Sequence, residues 1–91
     1  MKNHDQQENP FLTIITSRNL TKNDLAIICD VDYITVCQAL QASSPHPSRK
    51  LLLGLAYLGY EPALIEAQYI EFRMKAREQL LASQLERNGV T

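Results

Sequence analysis

The chain has 91 residues, 45% of them hydrophobic, and a formal net charge of −1 at pH 7. That length gives one domain with a modest core. The charge excludes a uniformly basic surface, and the longest apolar stretch, Leu51 to Tyr60, is too short to cross a bilayer.

Met1 to Asn9 is polar and aperiodic and reads as a disordered tail. An arm reaching into a DNA groove is the alternative. The segment shows no signal-peptide pattern. Pro10 suits the first position of a helix. Phe11, Ile14 and Ile15 follow at i, i+3 and i+4, so Phe11 to Arg18 reads as helix one. The β-branched run Thr13-Ile14-Ile15-Thr16 also suits a strand; the helical segments that follow decide for helix.

Leu20 to Gln41 reads as helix, tight turn, helix. Thr21 is a good N-cap for Lys22 to Cys29, because its hydroxyl can accept from free amides of the first turn. Leu25, Ala26 and Cys29 form one apolar face. Asp30 stands where the chain must turn sharply, and Val31 plugs the turn into the core. Asp32 can cap a third helix, Tyr33 to Ala42, whose inward face is Val36, Ala39 and Leu40. Ala26 is small where two steeply crossing helices must approach closely. This is the spacing of a helix-turn-helix.

Ala42-Ser43-Ser44-Pro45-His46-Pro47 is a loop, since two prolines and two serines exclude a helix. Ser48-Arg49-Lys50 opens helix four. Leu51, Leu52, Leu55, Ala56 and Leu58 surround most of that helix and predict the central core element. Gly59 is a natural left-handed C-cap. Pro62 to Arg87 has no further Pro or Gly until Gly89, and reads as one helix of about 25 residues, roughly 37 Å long. That exceeds what four short helices can cover. Leu64 and Ile65 are expected to pack on the body. Tyr69, Phe72, Ala76 and Leu80, with Leu81 from the neighbouring stripe Ile70, Met74, Arg77, Leu81 and Leu85, are expected to meet the same helix of a second chain. A helix folded back on its own core is the alternative. The divisions are therefore a tail over 1–9, a helix-turn-helix domain over 10–60, a long helix over 61–87 and a disordered end over 88–91.

Three of these pieces, in this order, resemble the Cro and phage-repressor (Xre-like) family. Leu12 to Thr21 is similar to the family's first helix and its Leu-Thr approach to the second. Leu20 to Gln41 matches its helix-turn-helix. Pro47 to Gly59 is similar to its fourth helix. Val31 to Leu40 also resembles the reading helix of the lactose-repressor family. The resemblance covers roughly Phe11 to Tyr60 and implies an all-α, five-helix, lambda-repressor-like DNA-binding domain with the long helix appended. One position departs: the families usually place Gly at the turn, where Asp30 stands. Gly is favoured there because the backbone is left-handed, which Asp also tolerates.

The resemblance implies double-stranded DNA as a partner. Tyr33, Ile34, Cys37, Gln38 and Gln41 face outward on helix three as base-reading candidates. Gln can pair with the N6 and N7 edge of adenine, and Ile or Tyr can touch a thymine methyl. Thr21, Lys22, Asn23, Thr35, Ser48, Arg49 and Lys50 are the phosphate-binding candidates; helix N-terminal amides and adjacent cations attract phosphate. The bland alternative is a polar surface helix and a solvated helix start. Arg18 to Lys50 holds four basic and three acidic residues, so any favouring field is local and weak. Cys29 and Cys37 have no ligand spacing with each other or with His4 and His46, so reduced core thiols in a cytoplasmic protein are expected rather than a metal site. No nucleophile–base pair, carboxylate pair or glycine-rich phosphate loop supports catalysis, and no cofactor or small-molecule ligand is expected. The expectation is a homodimeric DNA-binding regulator, and the resemblance implies a repressor. The alternative is an interaction module on the same fold, such as an antitoxin or a partner of another regulator.

Overall fold

A computed structural model describes residues 8–89. Of the tail expected over 1–9, residues 1–7 lie outside the described residues, as do 90 and 91 of the disordered end expected over 88–91, whereas residues 88 and 89 belong to the last helix. The protein is all-α. Five helices follow in order: α1 (Pro10–Ser17), α2 (Lys22–Cys29), α3 (Tyr33–Gln41), α4 (Arg49–Leu55) and α5 (Pro62–Gly89). A 3-10 turn (Ala56–Leu58) joins the last two.

The helix starts follow from short polar side chains. Asn9 Oδ1 accepts from the Phe11 N–H at 2.9 Å ahead of Pro10. Thr21 and Asp24 form a reciprocal capping box. Ser48 Oγ accepts from the Leu51 N–H at 3.3 Å. Asp32 holds the N-cap position of α3, but its side chain makes no capping bond there.

The helix ends share one device. A left-handed residue follows α1, α2, α3 and the 3-10 turn: Asn19 (φ 56°), Asp30 (φ 57°), Ala42 (φ 53°) and Gly59 (φ 94°). The next N–H then reaches back five residues: Leu20 to Ile15, Val31 to Ala26, Ser43 to Gln38 and Tyr60 to Leu55. This closure satisfies carbonyls that the helix leaves unpaired. It also reverses the chain within a few residues, so each helix can fold against the last.

Two differences from the sequence reading concern the end of helix four and the start of helix one. Helix four stops at Leu55, and the apolar run continues as the 3-10 turn. Ala56 is accordingly exposed rather than part of a central core helix. Asn9 does not belong to a tail. It is 4% exposed, and its Nδ2 donates to Ala39 O (2.9 Å) and Leu40 O (3.1 Å). A buried amide needs such partners, and here they tie the start of α1 to the end of α3.

α2 packs on α3 and α4, and α5 lies across α1 and α4. The core between them contains Phe11, Ile14, Leu25, Val36, Leu51, Leu55, Ile65 and Tyr69. Phe11 and Tyr69 meet edge to face, ring centroids 5.7 Å apart, a favoured aromatic geometry. Gly54 allows α4 to lie directly on Cys29 of α2, where a Cβ would find no space. Arg18 closes the other side: its Nη2 donates to Leu58 O (2.6 Å), its Nε donates to Tyr60 Oη (3.0 Å), and its guanidinium lies over the Tyr60 ring.

Candidate nucleic-acid interface

The turn between α2 and α3 has the backbone that the sequence reading requires. Asp30 adopts φ 57°, ψ 50°, and the Val31 N–H donates to Ala26 O at 3.0 Å. Leu25, Ala26 and Cys29 are buried on one side of the turn, Val36 and Ala39 on the other. With its inner face fixed in this way, α3 turns a second face to solvent. Tyr33 is 50% exposed and Ile34 65%. Gln38 and Gln41 are exposed on the following turns, while Cys37 is half-buried. The five base-reading candidates therefore share a helix face but do not share exposure.

Six of the seven phosphate-binding candidates fall into two groups at helix starts, and the seventh, Thr35, lies on α3 itself. Thr21, Lys22 and Asn23 are exposed at the start of α2. Ser48, Arg49 and Lys50 stand at the start of α4, with Ser48 half-buried by its capping role. The hydroxyls of Thr21 and Ser48 accept from backbone N–H groups and keep a proton to donate. Thr35 is half-buried. It lines a shallow depression with Gln38, His46 and Ser48, which joins α3 to the start of α4. Lys50 Nζ lies 3.2 Å from Asp30 Oδ2, so the α4 start and the α2–α3 turn are neighbours. Both groups are well exposed, and a pair of that kind contributes little to stability.

Charge on this side is mixed. Lys22, Arg49 and Lys50 are exposed, and so are Asp30 and Asp32, which flank the start of α3. Arg18, the fourth cation of this stretch, is engaged with Leu58 and Tyr60. The Asp32 carboxylate is favoured where it stands by the dipole at the α3 N-terminus, but it faces the same approach as any phosphate. Burial pushes the Cys29 thiol up from its usual value, which makes it a poor nucleophile and a packing residue. Among the described residues, no group of three or more His, Cys, Asp or Glu could hold a metal ion, and no helix is long and apolar enough to cross a membrane.

The predicted seam on α5 divides into two parts. Tyr69 is not available to a second chain. It is 1% exposed, packs against Phe11 and donates from its hydroxyl to Ser44 O at 2.7 Å. Leu64, expected on the body, is 53% exposed, because Ile65 and Tyr69 carry the buried stripe instead. Beyond Arg73 the apolar side chains come free of the body. Leu80, Leu81, Met74 and Leu85 are exposed, while Phe72 and Ala76 are half-buried. Phe72, Ala76, Leu80 and Leu81 line a groove together with Gln41 and Ala42.

One contact had no clear sequence signature. Arg73 Nε donates to Ala42 O at 2.8 Å, across 31 residues. Asn9 was legible in principle, since Asn directly before Pro is a helix-start signature. No family model, curated protein or solved structure matches the chain.

Proposed function

We propose that the protein is a small sequence-specific DNA-binding transcriptional regulator of the Cro and phage-repressor kind, acting as a homodimeric repressor on an inverted repeat. The observation that carries this reading is the arrangement around α3. Its outer face bears Tyr33, Ile34, Gln38 and Gln41, and hydroxyl and cationic groups stand at the starts of α2 and α4 beside it. In this reading α3 enters the major groove, its side chains meet base edges, and Thr21, Lys22, Ser48, Arg49 and Lys50 hold phosphates on either side. The exposed half of α5, from Phe72 to Leu85, forms the dimer and brings two α3 helices to successive grooves. The reading involves no catalysis, cofactor or small-molecule ligand, and it places the protein in the cytoplasm.

A second reading is supported by a different observation. Asp30 and Asp32 flank an α3 start whose exposed side chains are Tyr33 and Ile34. An apolar patch with acidic edges suits a protein partner better than a polyanion. Selection from a random duplex pool at low salt separates the two. Enrichment of an inverted repeat with half-site centres about 34–36 Å apart supports the regulator; failure to enrich any sequence favours the interaction module.

A further inference from the structure

The C-terminal end of α3 and the loop that follows it are held from outside by three side chains. Asn9 binds the Ala39 and Leu40 carbonyls. Tyr69 donates to Ser44 O at 2.7 Å, and Arg73 donates to Ala42 O at 2.8 Å. Tyr69 and Arg73 are four residues apart, hence on one face of α5. The principal packing of α5 is on α1 and α4 rather than on α3. One directional hydrogen bond thus joins α5 to the C-cap residue of α3, and a second joins it to the loop three residues beyond the helix's last residue, where apolar contact alone would let the elements slide. Both acceptors are backbone carbonyls, and the Arg73 cation sits at the helix end that the dipole makes negative.

We infer that Tyr69 and Arg73 are positioning residues that fix the angle between α3 and the exposed half of α5, and thereby select the spacing between two half-sites. This rests on the homodimeric DNA-binding reading. The lever arm is long. α5 runs unbroken to Gly89, so Leu85 lies about 18 Å along the helix from Arg73. A tilt of about 10° at the Arg73–Ala42 bond shifts Leu85 by about 3 Å, close to one base-pair step of roughly 3.4 Å. An angle held by these bonds is therefore converted into a spacing preference at single-step precision.

The test uses duplexes carrying the enriched repeat, with the half-site separation changed one base pair at a time. Wild type is expected to show one optimum and to lose roughly tenfold in affinity when mis-spaced by one or two pairs, because the second half-site becomes unreachable. The Tyr69→Phe, Arg73→Gln double variant keeps an aromatic ring against Phe11. It is expected to flatten that penalty to about twofold while sedimenting as the same dimer and binding a single half-site unchanged. Arg73→Lys, which keeps the cation, recovers part of the optimum. A double variant with an undiminished optimum overturns the inference. A second arm needs no DNA. In wild type, amide residual dipolar couplings from α3 and α5 should fit one common frame, and in the double variant they should not; a common frame in both overturns it. A wild type that binds no duplex refutes the DNA-binding reading, and the couplings still decide whether this pair holds the angle.

Discussion

Replacing Gly54 by Ala sets two effects against each other. Ala favours an α-helix over Gly by about 1 kcal/mol. The added Cβ, however, falls 2.5 Å from Cys29 Sγ, 2.6 Å from Cys29 Cα and 2.6 Å from Cys29 Cβ. Carbon atoms in good contact lie roughly 3.5–4.0 Å apart, so α2 and α4 must separate by about 1 Å. The thiol could rotate away, but the Cα is backbone, and no rotamer relieves it. Overpacking of this kind costs about 1–3 kcal/mol, and a clash with backbone belongs at the upper end. The net is a loss of about 1–2 kcal/mol after the helix gain. A domain of this size loses roughly 4–8 °C in Tm for each kcal/mol, which a thermal melt followed by circular dichroism resolves. Adding Cys29→Ala removes only the Sγ, so most of the loss should persist. The opened seam should also let a thiol reagent reach Cys29 faster than in wild type. A Gly54→Ala protein that melts above wild type refutes the close approach of α2 to α4.

Four further outcomes are expected. Ala42→Gly should raise stability by about 1 kcal/mol, since Ala carries a Cβ in a left-handed position; Asp30→Gly should be neutral or stabilising and Asp30→Val destabilising, and melts that rank Val above Gly contradict the turn. Gln38→Ala should relax one base position at a cost of about 1–3 kcal/mol, whereas Lys50→Ala should weaken all sequences alike and reduce the salt slope by about one; binding isotherms showing the reverse pattern remove α3 as the reader. Leu80→Asp with Leu81→Asp places charge in the seam and should give a helical monomer in analytical ultracentrifugation; a double variant that stays dimeric removes the exposed half of α5 from the interface. Burial raises both the Cys29 thiol and the Tyr69 phenol. A raised folded-state pKa stabilises below the unfolded value and is lost as pH rises through the folded one, so stability should decline in alkali above the usual thiol value of 9.0. Cys29→Ala should show less of that decline in denaturant titrations at increasing pH.

Local chemistry was legible in the sequence at several helix boundaries. Thr21, Ser48 and Pro62 mark starts, and Asp30 and Gly59 take the left-handed angles expected of them. The errors lie where local pattern leaves two answers. The apolar run Leu51 to Leu58 has no breaker after Gly54 to reveal that α4 tightens after Leu55. On α5, adjacent apolar stripes are equivalent to a periodicity argument, and only the packed body decides that Ile65 and Tyr69 turn inward while Leu64 turns outward. Ala42 carries no sign of a left-handed angle. Asn9 directly before Pro10 carries a helix-start signal, but only α3 supplies the carbonyls that bury it. Arg73 to Ala42 spans 31 residues, and no local rule reaches that far. The outward face of α3 was legible because the inward one was: once Val36 and Ala39 are buried, helix geometry places the rest.

The central claim is that the outer face of α3, flanked by the starts of α2 and α4, is where the protein meets DNA. Titrating the isotopically labelled protein with the enriched duplex, and following backbone amide shifts, tests it most directly. The account expects the large changes at residues 21–24, 33–41 and 48–50, with lesser ones along α5. Changes centred instead on Ile27, Leu53 and Tyr57, the exposed apolar side chains of α2, α4 and the 3-10 turn, or no changes at all, would contradict it.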